Sequence, residues 1–383
     1  MHGPRLKILL FIIGISLLIL WACWGGDEWT GEPEVQLTAE ECLCYGENFC
    51  FEGLDSNGRV VRSRRFDCGL YAGLKKQRLL DSDARSVRLA DSLNQSAADW
   101  SPVFVTYASS DHLGESRVLI KSIRAHYPTA LILYYDIGLT ERDAEEVRSW
   151  CRVELRRFNF SAFPRHFSNL QTYAFKLLIL QDVLNDAKIT NFFVLDASIQ
   201  VKNNDLYAFV EGGRDGKILP FTNLGPAGHS VYATTQPGKR MFRWLPLPHV
   251  VTQIAELEST LFVADAPYTR YVFKWFYLCA MTADCISPPG AQIYCKEDGG
   301  RLHFRKCHRF DQAFWNIAAL ARLFGPQREA VRLNWTTDWS QLNSEVVLRV
   351  EQRRSEVLED YRRLIPAEHD PGTDVPLRID CPQ

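Results

Sequence analysis

Asp196 closes an apolar run, Asn191-Phe192-Phe193-Val194-Leu195, and is followed by Ala197 and Ser198. Such a run reads as a strand buried on both faces of a sheet. Ligands of open α/β sheets sit outside the carboxyl ends of the strands. A carboxylate placed there needs a metal, a base or a ligand as its partner. Asp136 stands in the same relation to Leu131–Tyr135, although a turn former before Gly138 is an equally good reading. Asp311 and Gln312 open a stretch whose inward residues are Phe310, Phe314, Ile317 and Ala321. An aspartate in a first helical turn also stabilises the helix dipole.

Cysteine and histidine chemistry is less well supported. Cys42, Cys44, Cys50 and Cys68 form one cluster, Cys279, Cys285, Cys295 and Cys307 another, and Cys151 and Cys381 stand apart. The spacings match no zinc-finger pattern, even with His308 beside Cys307. A hydrolytic Cys–His pair using His303 or His308 would need a reduced thiol. The ten cysteines beyond Cys23 are an even set, which an oxidising compartment would bridge.

The elements that must position these residues are legible from about Pro102 onward. Val103–Tyr107 reads as a strand, and Glu115 to His126 as a helix with Val118, Leu119, Ser122 and Ile123 inward. Leu131–Tyr135 is a second strand. Thr140 with Asp143 resembles a capping box, and Ala144, Val147 and Cys151 form the buried face of the next helix. Val153 to Phe158 is a third strand. Tyr173, Leu177, Leu180, Leu184 and Ala187 recur at helical spacing and deliver the chain to the run that ends on Asp196. Alternating strands and helices predict a parallel sheet with helices on its faces. No G-x-G-x-x-G follows the first strand, and no P-loop or G-x-S-x-G elbow occurs. Further helices are expected at Pro267 to Met281 and Asp311 to Leu323, with a charged one at Ser344 to Leu364.

Arg5 and Lys7 precede Ile8 to Trp24, an uncharged stretch near the lower limit for spanning a bilayer. No small-residue cleavage site follows, so the stretch reads as a signal anchor with the body across the membrane, a cleaved signal peptide being the alternative. The sequons at Asn94, Asn159 and Asn334 fit a lumenal body. The expected division is a cytosolic tail (1–7), an anchor (8–24), a polar stem with the first cysteine cluster (25–100), a catalytic domain (101–365) and a tail (366–383). Composition is that of a globular chain, and a net charge of −2 gives no footprint for nucleic acid.

In this order the pieces resemble the GT-A class of nucleotide-sugar glycosyltransferases. More narrowly, they resemble a family of glycosyltransferase-like type II membrane proteins of animals. The resemblance rests on Tyr135-Asp136-Ile137-Gly138-Leu139, Tyr173-Ala174-Phe175-Lys176, Val194-Leu195-Asp196-Ala197-Ser198 and His308-Arg309-Phe310-Asp311-Gln312, and spans residues 101–325. It implies a Rossmann-like mixed sheet with helices on both faces, and a sugar moved from a nucleotide donor, a UDP-sugar, to a lumenal glycan, glycoprotein or glycolipid. Golgi membrane localisation is implied too, with secretion as the alternative. Asp196 would take the first position of a D-x-D that holds Mn²⁺ or Mg²⁺, with Ser198 in place of the second acid. A diphosphate leaving group needs such a cation or fixed positive donors. Tyr107 and Asp136 would meet the base or ribose, Lys176 a phosphate, and Asp311 and Glu258 the acceptor, Asp311 as general base or hydroxyl ligand. A catalytically inactive GT-A-like binding or adaptor protein is the rival reading, favoured by Ser198.

Overall fold

A computed structural model describes residues 37–54, 59–86, 100–201, 204, 206, 207, 210, 219–223, 241–246, 256–291, 297–298, 301–302, 309–315, 348–349 and 379–381. The expected anchor at 8–24 lies outside them, as do Cys295, Cys307, the sequons at Asn94 and Asn334, and most of the expected 344–364 helix. Among the described residues no helix is long and apolar enough to cross a membrane.

The principal sheet has six strands: β1 (Val103–Ala108), β2 (Leu131–Asp136), β3 (Val153–Arg157), β4 (Asn191–Val194), β5 (Leu219–Asn223) and β6 (Glu256–Ala264). Their order across the sheet is β5-β6-β4-β1-β2-β3. β1 runs parallel to β2 and to β4, and β2 parallel to β3. β6 is antiparallel to β4, and β5 to β6. The sheet is thus mixed but rich in parallel pairs, as the alternation of strands and helices predicted. The chain winds outward from β1 to β3, then returns to lay β4 on the other side of β1. The gap between β1 and β4 is therefore a topological switch point, the place where an open α/β sheet leaves a crevice at its carboxyl edge.

Strand alternation divides the core into two layers. Val105 and Tyr107, Leu133 and Tyr135, Phe192 and Val194, and Leu261 and Val263 face one side. There they pack on α3 (Phe175–Asn185) and α4 (Pro267–Met281). Phe104, Ile132, Tyr134, Phe193 and Phe262 face the other, against α1 (Leu113–His126) and α2 (Glu141–Ser149). Val118, Leu119, Ser122 and Ile123 of α1 and Ala144 and Val147 of α2 are buried as expected, whereas Cys151 is buried beyond the end of α2. Thr140 caps α2 by accepting from the Asp143 amide at 3.2 Å.

Three sequence expectations differ locally. Tyr173 is not helical: it adopts a left-handed conformation (φ 53°), and α3 begins two residues later. Ala187 lies past the end of α3 and is exposed. Leu348–Arg349, expected within a charged helix, pairs antiparallel with Gln200–Val201 instead. Backbone pairing there outweighs a composition that suggested a solvated face.

The first cysteine cluster, expected in a polar stem, shares the core of the body. Disulfides join Cys42 to Cys50 and Cys44 to Cys68. Phe49, Phe51, Phe66, Leu74 and Leu79 are buried in the same layer as α3 and α4. Phe51 meets the Trp275 ring edge-on at 5.3 Å. Lys274, buried in α4, reaches back to Asp81 at 2.7 Å and Glu47 at 3.3 Å. Two further disulfides join Cys151 to Cys381 and Cys279 to Cys285.

Candidate functional site

β1 and β4 run in parallel with Phe104 opposite Phe193 and Val105 opposite Val194. The Leu195 amide continues this ladder by donating to the Val105 carbonyl at 2.9 Å. Continued by two residues, the register brings Asp196 level with Tyr107, and the Tyr107 hydroxyl donates to Asp196 Oδ1. Lys176 lies in the first turn of α3, whose amphipathic packing on the sheet points it into the same crevice. Its Nζ stands 3.1 Å from Asp196 Oδ1 and 3.1 Å from Asp311 Oδ2. Residues 310–315 are helical, and Phe314 stacks on Phe276 of α4 at 4.5 Å, which fixes Asp311 behind the lysine. Four residues from four distant parts of the chain thus converge at the switch point.

Their exposures differ in a way that assigns roles. The Lys176 and Asp311 side chains are 5% and 4% exposed, whereas Asp196 is 35% exposed. Asp196 is the member that faces solvent, and the other two stand behind it. The rings of Tyr173 and Tyr107 lie 4.8 Å and 5.4 Å from the ammonium and present π faces to it. Tyr107 packs edge-on against Phe175 at 5.4 Å. Two non-glycine residues with positive φ flank the cluster, Tyr173 (53°) and Phe310 (50°), and their rings are 6.0 Å apart. Backbone strain of this kind persists only where surrounding structure imposes it, and it gathers at functional sites.

The electrostatics follow from burial and pairing. Burial alone would depress the Lys176 ammonium, but the Asp196 and Asp311 carboxylates hold it well above the usual lysine range. Burial would raise Asp196; the Lys176 charge, the Tyr107 hydroxyl and the Arg309 charge instead bring it below the ordinary aspartate value. Asp311 goes the other way, raised chiefly by burial, with Asp196 adding to it and Lys176 opposing it only in part. Burial and the neighbouring Asp196 push the Tyr107 phenol well up, so it remains a donor.

The other sequence candidates are placed as follows. Asp136 is buried, and its Oδ1 accepts from the Gly138 and Leu139 amides at 2.9 Å and 2.7 Å, the work of a turn former. Its Oδ2 lies 3.6 Å from Arg157 Nε. Tyr107, expected to stack on a base, is only 6% exposed and spends its hydroxyl on Asp196. Lys176, expected to meet a phosphate, is buried and paired with two carboxylates. Ser198 is half-buried in the turn after Asp196. Glu258 lies on β6 where the pairing with β5 changes register between Pro220 and Thr222. Its side chain lies outside the described part. Sequence reading missed Tyr173 and Arg309 as site residues, although both lie within the segments that carry the resemblance.

A divalent cation was expected on Asp196. The described residues around it do not fit one. The Lys176 ammonium already neutralises Asp196, the Tyr107 hydroxyl occupies the same oxygen, and Ser198 offers no second charge. Among the described residues no three His, Cys, Asp or Glu side chains converge on one point. A hard cation held through Asp196 alone would depend on substrate phosphates for its remaining ligands.

A family model described as a protein of unknown function (DUF1647) matches residues 42–181, spanning the cysteine cluster and the strands and helices up to α3. No curated protein matches the chain. Among solved structures, the chain is similar to the galactosyltransferase LgtC in complex with donor and acceptor sugar analogs. The identity there is 13% and the TM-score 0.38, over 70% of this chain and 98% of that one. It is similar to WbbM, a bifunctional glycosyltransferase, at 15% identity and TM-score 0.39, over 58% of this chain and 38% of that one. Mouse xyloside xylosyltransferase 1 in its apo form is similar at 12% identity and TM-score 0.30, over 57% of this chain and 80% of that one.

Proposed function

We propose that the chain is a glycosyltransferase that takes a sugar from a UDP-sugar and passes it to a lumenal glycan, glycoprotein or glycolipid. The observation that carries this reading is the Tyr107–Lys176–Asp196–Asp311 cluster at the β1/β4 switch point, with Asp196 as its solvent-facing member. An open α/β crevice at that place suits a nucleotide-bearing ligand. Asp196 is positioned to accept hydroxyls of the donor. Lys176, with Arg309 close enough to act on Asp196, supplies fixed positive charge. Asp311, buried behind the lysine, serves as the counter-ion that positions it.

In the transfer step the acceptor hydroxyl oxygen bonds to the anomeric carbon, and the bond from that carbon to the diphosphate oxygen breaks. The electron pair leaves on the nucleoside diphosphate, and the hydroxyl proton passes to a carboxylate or to water. Charge develops on the leaving diphosphate, where a preorganised positive group lowers the barrier most.

Four disulfides among the described residues favour an oxidising compartment, which supports a lumenal body. A Golgi type II protein anchored by residues 8–24 is the setting we propose. The second reading, an inactive GT-A-like binding or adaptor protein, is favoured by Ser198 and by the pairing of Lys176 with two carboxylates.

A thermal-shift panel with nucleotide sugars, followed by a radiolabelled transfer and hydrolysis assay, separates the two. Stabilisation by one donor that Asp196→Ala abolishes, together with turnover, is expected of the enzyme. Stabilisation without any turnover supports the adaptor. A panel in which no donor shifts the melting temperature would sink the enzyme reading and favour the adaptor.

A further inference from the structure

A diphosphate leaving group is commonly stabilised by a divalent ion held between carboxylates. Among the described residues, Asp196 and Asp311 are the carboxylates that converge in this crevice, and the position between them holds the Lys176 ammonium, 3.1 Å from each. A hard cation bridging both would bind at about 2.0–2.6 Å from their oxygens and would stand where the ammonium now stands. Two cations cannot share that space, because repulsion at such a separation costs several kcal/mol at protein-like screening. Nor is the lysine poised to withdraw. It is buried, enclosed by the Tyr107 and Tyr173 rings, and rooted in the first turn of α3 between the buried Phe175 and Leu177.

We infer that Lys176 is the resident cation of this site, a tethered ammonium in place of a divalent ion, and that nucleoside diphosphate binds here without added metal. The second half rests on the proposed donor site. The first half, exclusion of the ion, stands on the cluster alone.

The two halves have separate tests. Electron paramagnetic resonance titration of Mn²⁺ against the full-length chain, without nucleotide, is expected to give the same free-ion signal for the wild type and Asp196→Asn. Lys176→Met, which leaves two carboxylates facing each other without a counter-charge, is expected to gain a Mn²⁺ site at least about tenfold tighter than any in the wild type. Adding Asp311→Asn should remove that site. Saturable Mn²⁺ binding by the wild type that Asp196→Asn abolishes overturns the inference. If Lys176→Met does not fold, the comparison of wild type with Asp196→Asn still decides.

Calorimetric titration of UDP in EDTA and in Mn²⁺ tests the second half. Equal affinities support it, and an affinity that rises about tenfold or more with Mn²⁺ overturns it. Absence of UDP binding under both conditions counts against the donor reading, and the nucleotide-free titration then decides the exclusion of the ion.

Discussion

Lys176 and Asp196, one in the first turn of a helix and the other just past the end of a strand, meet with Nζ 3.1 Å from Oδ1 at the β1/β4 crevice. The pair joins α3 to the carboxyl end of β4, one of the two strands that flank the switch point. It also holds the charge on Asp196, the solvent-facing carboxylate of the cluster. The Tyr107 hydroxyl binds the same oxygen from β1, so three elements meet on a single carboxyl group.

Removing the ammonium should cost stability as well as ligand binding. Lys176→Met leaves Asp311 buried without its counter-charge. Breaking a buried pair from one side costs about 3–5 kcal/mol, with the lower end expected because Asp196 is partly solvated. Urea denaturation of the two proteins measures this. A variant as stable as the parent would contradict the pairing described here.

The two carboxylates should shape the pH dependence of stability in opposite senses. Asp311 has a folded pKa raised above its unfolded value near 4. Its contribution is complete below about pH 4 and is lost as pH rises through the folded value. Asp196 has a lowered folded pKa, so its contribution is present above about pH 4 and is lost as pH falls. Denaturant midpoints measured between pH 3 and 8 should therefore show Asp311→Asn removing a loss on the alkaline side and Asp196→Asn removing one on the acid side. Parallel curves for the two variants would refute the assignment.

Docking of the cysteine segment on α4 makes Gly73 sensitive. A Cβ there would lie 1.9 Å from the Tyr277 hydroxyl oxygen and 2.9 Å from the carbon that bears it. Gly73→Ala should lower stability by about 1–3 kcal/mol through overpacking, and adding Tyr277→Phe should restore part of the loss. Thermal melts of the single and double variants check the coupling. Additive losses would show that the two residues do not meet.

Non-reducing peptide mapping should recover Cys42–Cys50, Cys44–Cys68, Cys151–Cys381 and Cys279–Cys285. Cys151–Cys381 ties the end of α2 to a segment 230 residues away. On the chain-entropy account Cys381→Ser should cost up to about 5 kcal/mol, the largest loss of the four, because the loop it closes is the longest. A melting temperature unchanged by Cys381→Ser would argue that this bridge closes no folded unit.

The sequence alone was enough for the order of strands and helices in the first half of the body. Its strands read as short apolar runs and its helices as apolar positions about 3.6 residues apart, and those patterns depend only on local geometry. They also placed Asp196 at a carboxyl edge, because a strand ends where its apolar run ends. Thr140 was readable as a cap for the same local reason. The docking of the cysteine segment was not readable: Phe51 and Phe66 follow no period and meet Trp275 of α4, more than 200 residues away.

The site itself was decided by tertiary structure. Whether Lys176 snorkels or is buried depends on which face of α3 meets the sheet at its carboxyl edge. Whether Tyr107 offers its ring or its hydroxyl depends on the register of β1 with β4. Asp311 was legible as a carboxylate opening a helix, but its role as the counter-ion of a buried lysine exists only once α4 brings residues 310–315 behind α3. Local patterns specify elements, whereas the partners of a charged side chain are set by packing between elements far apart in the chain.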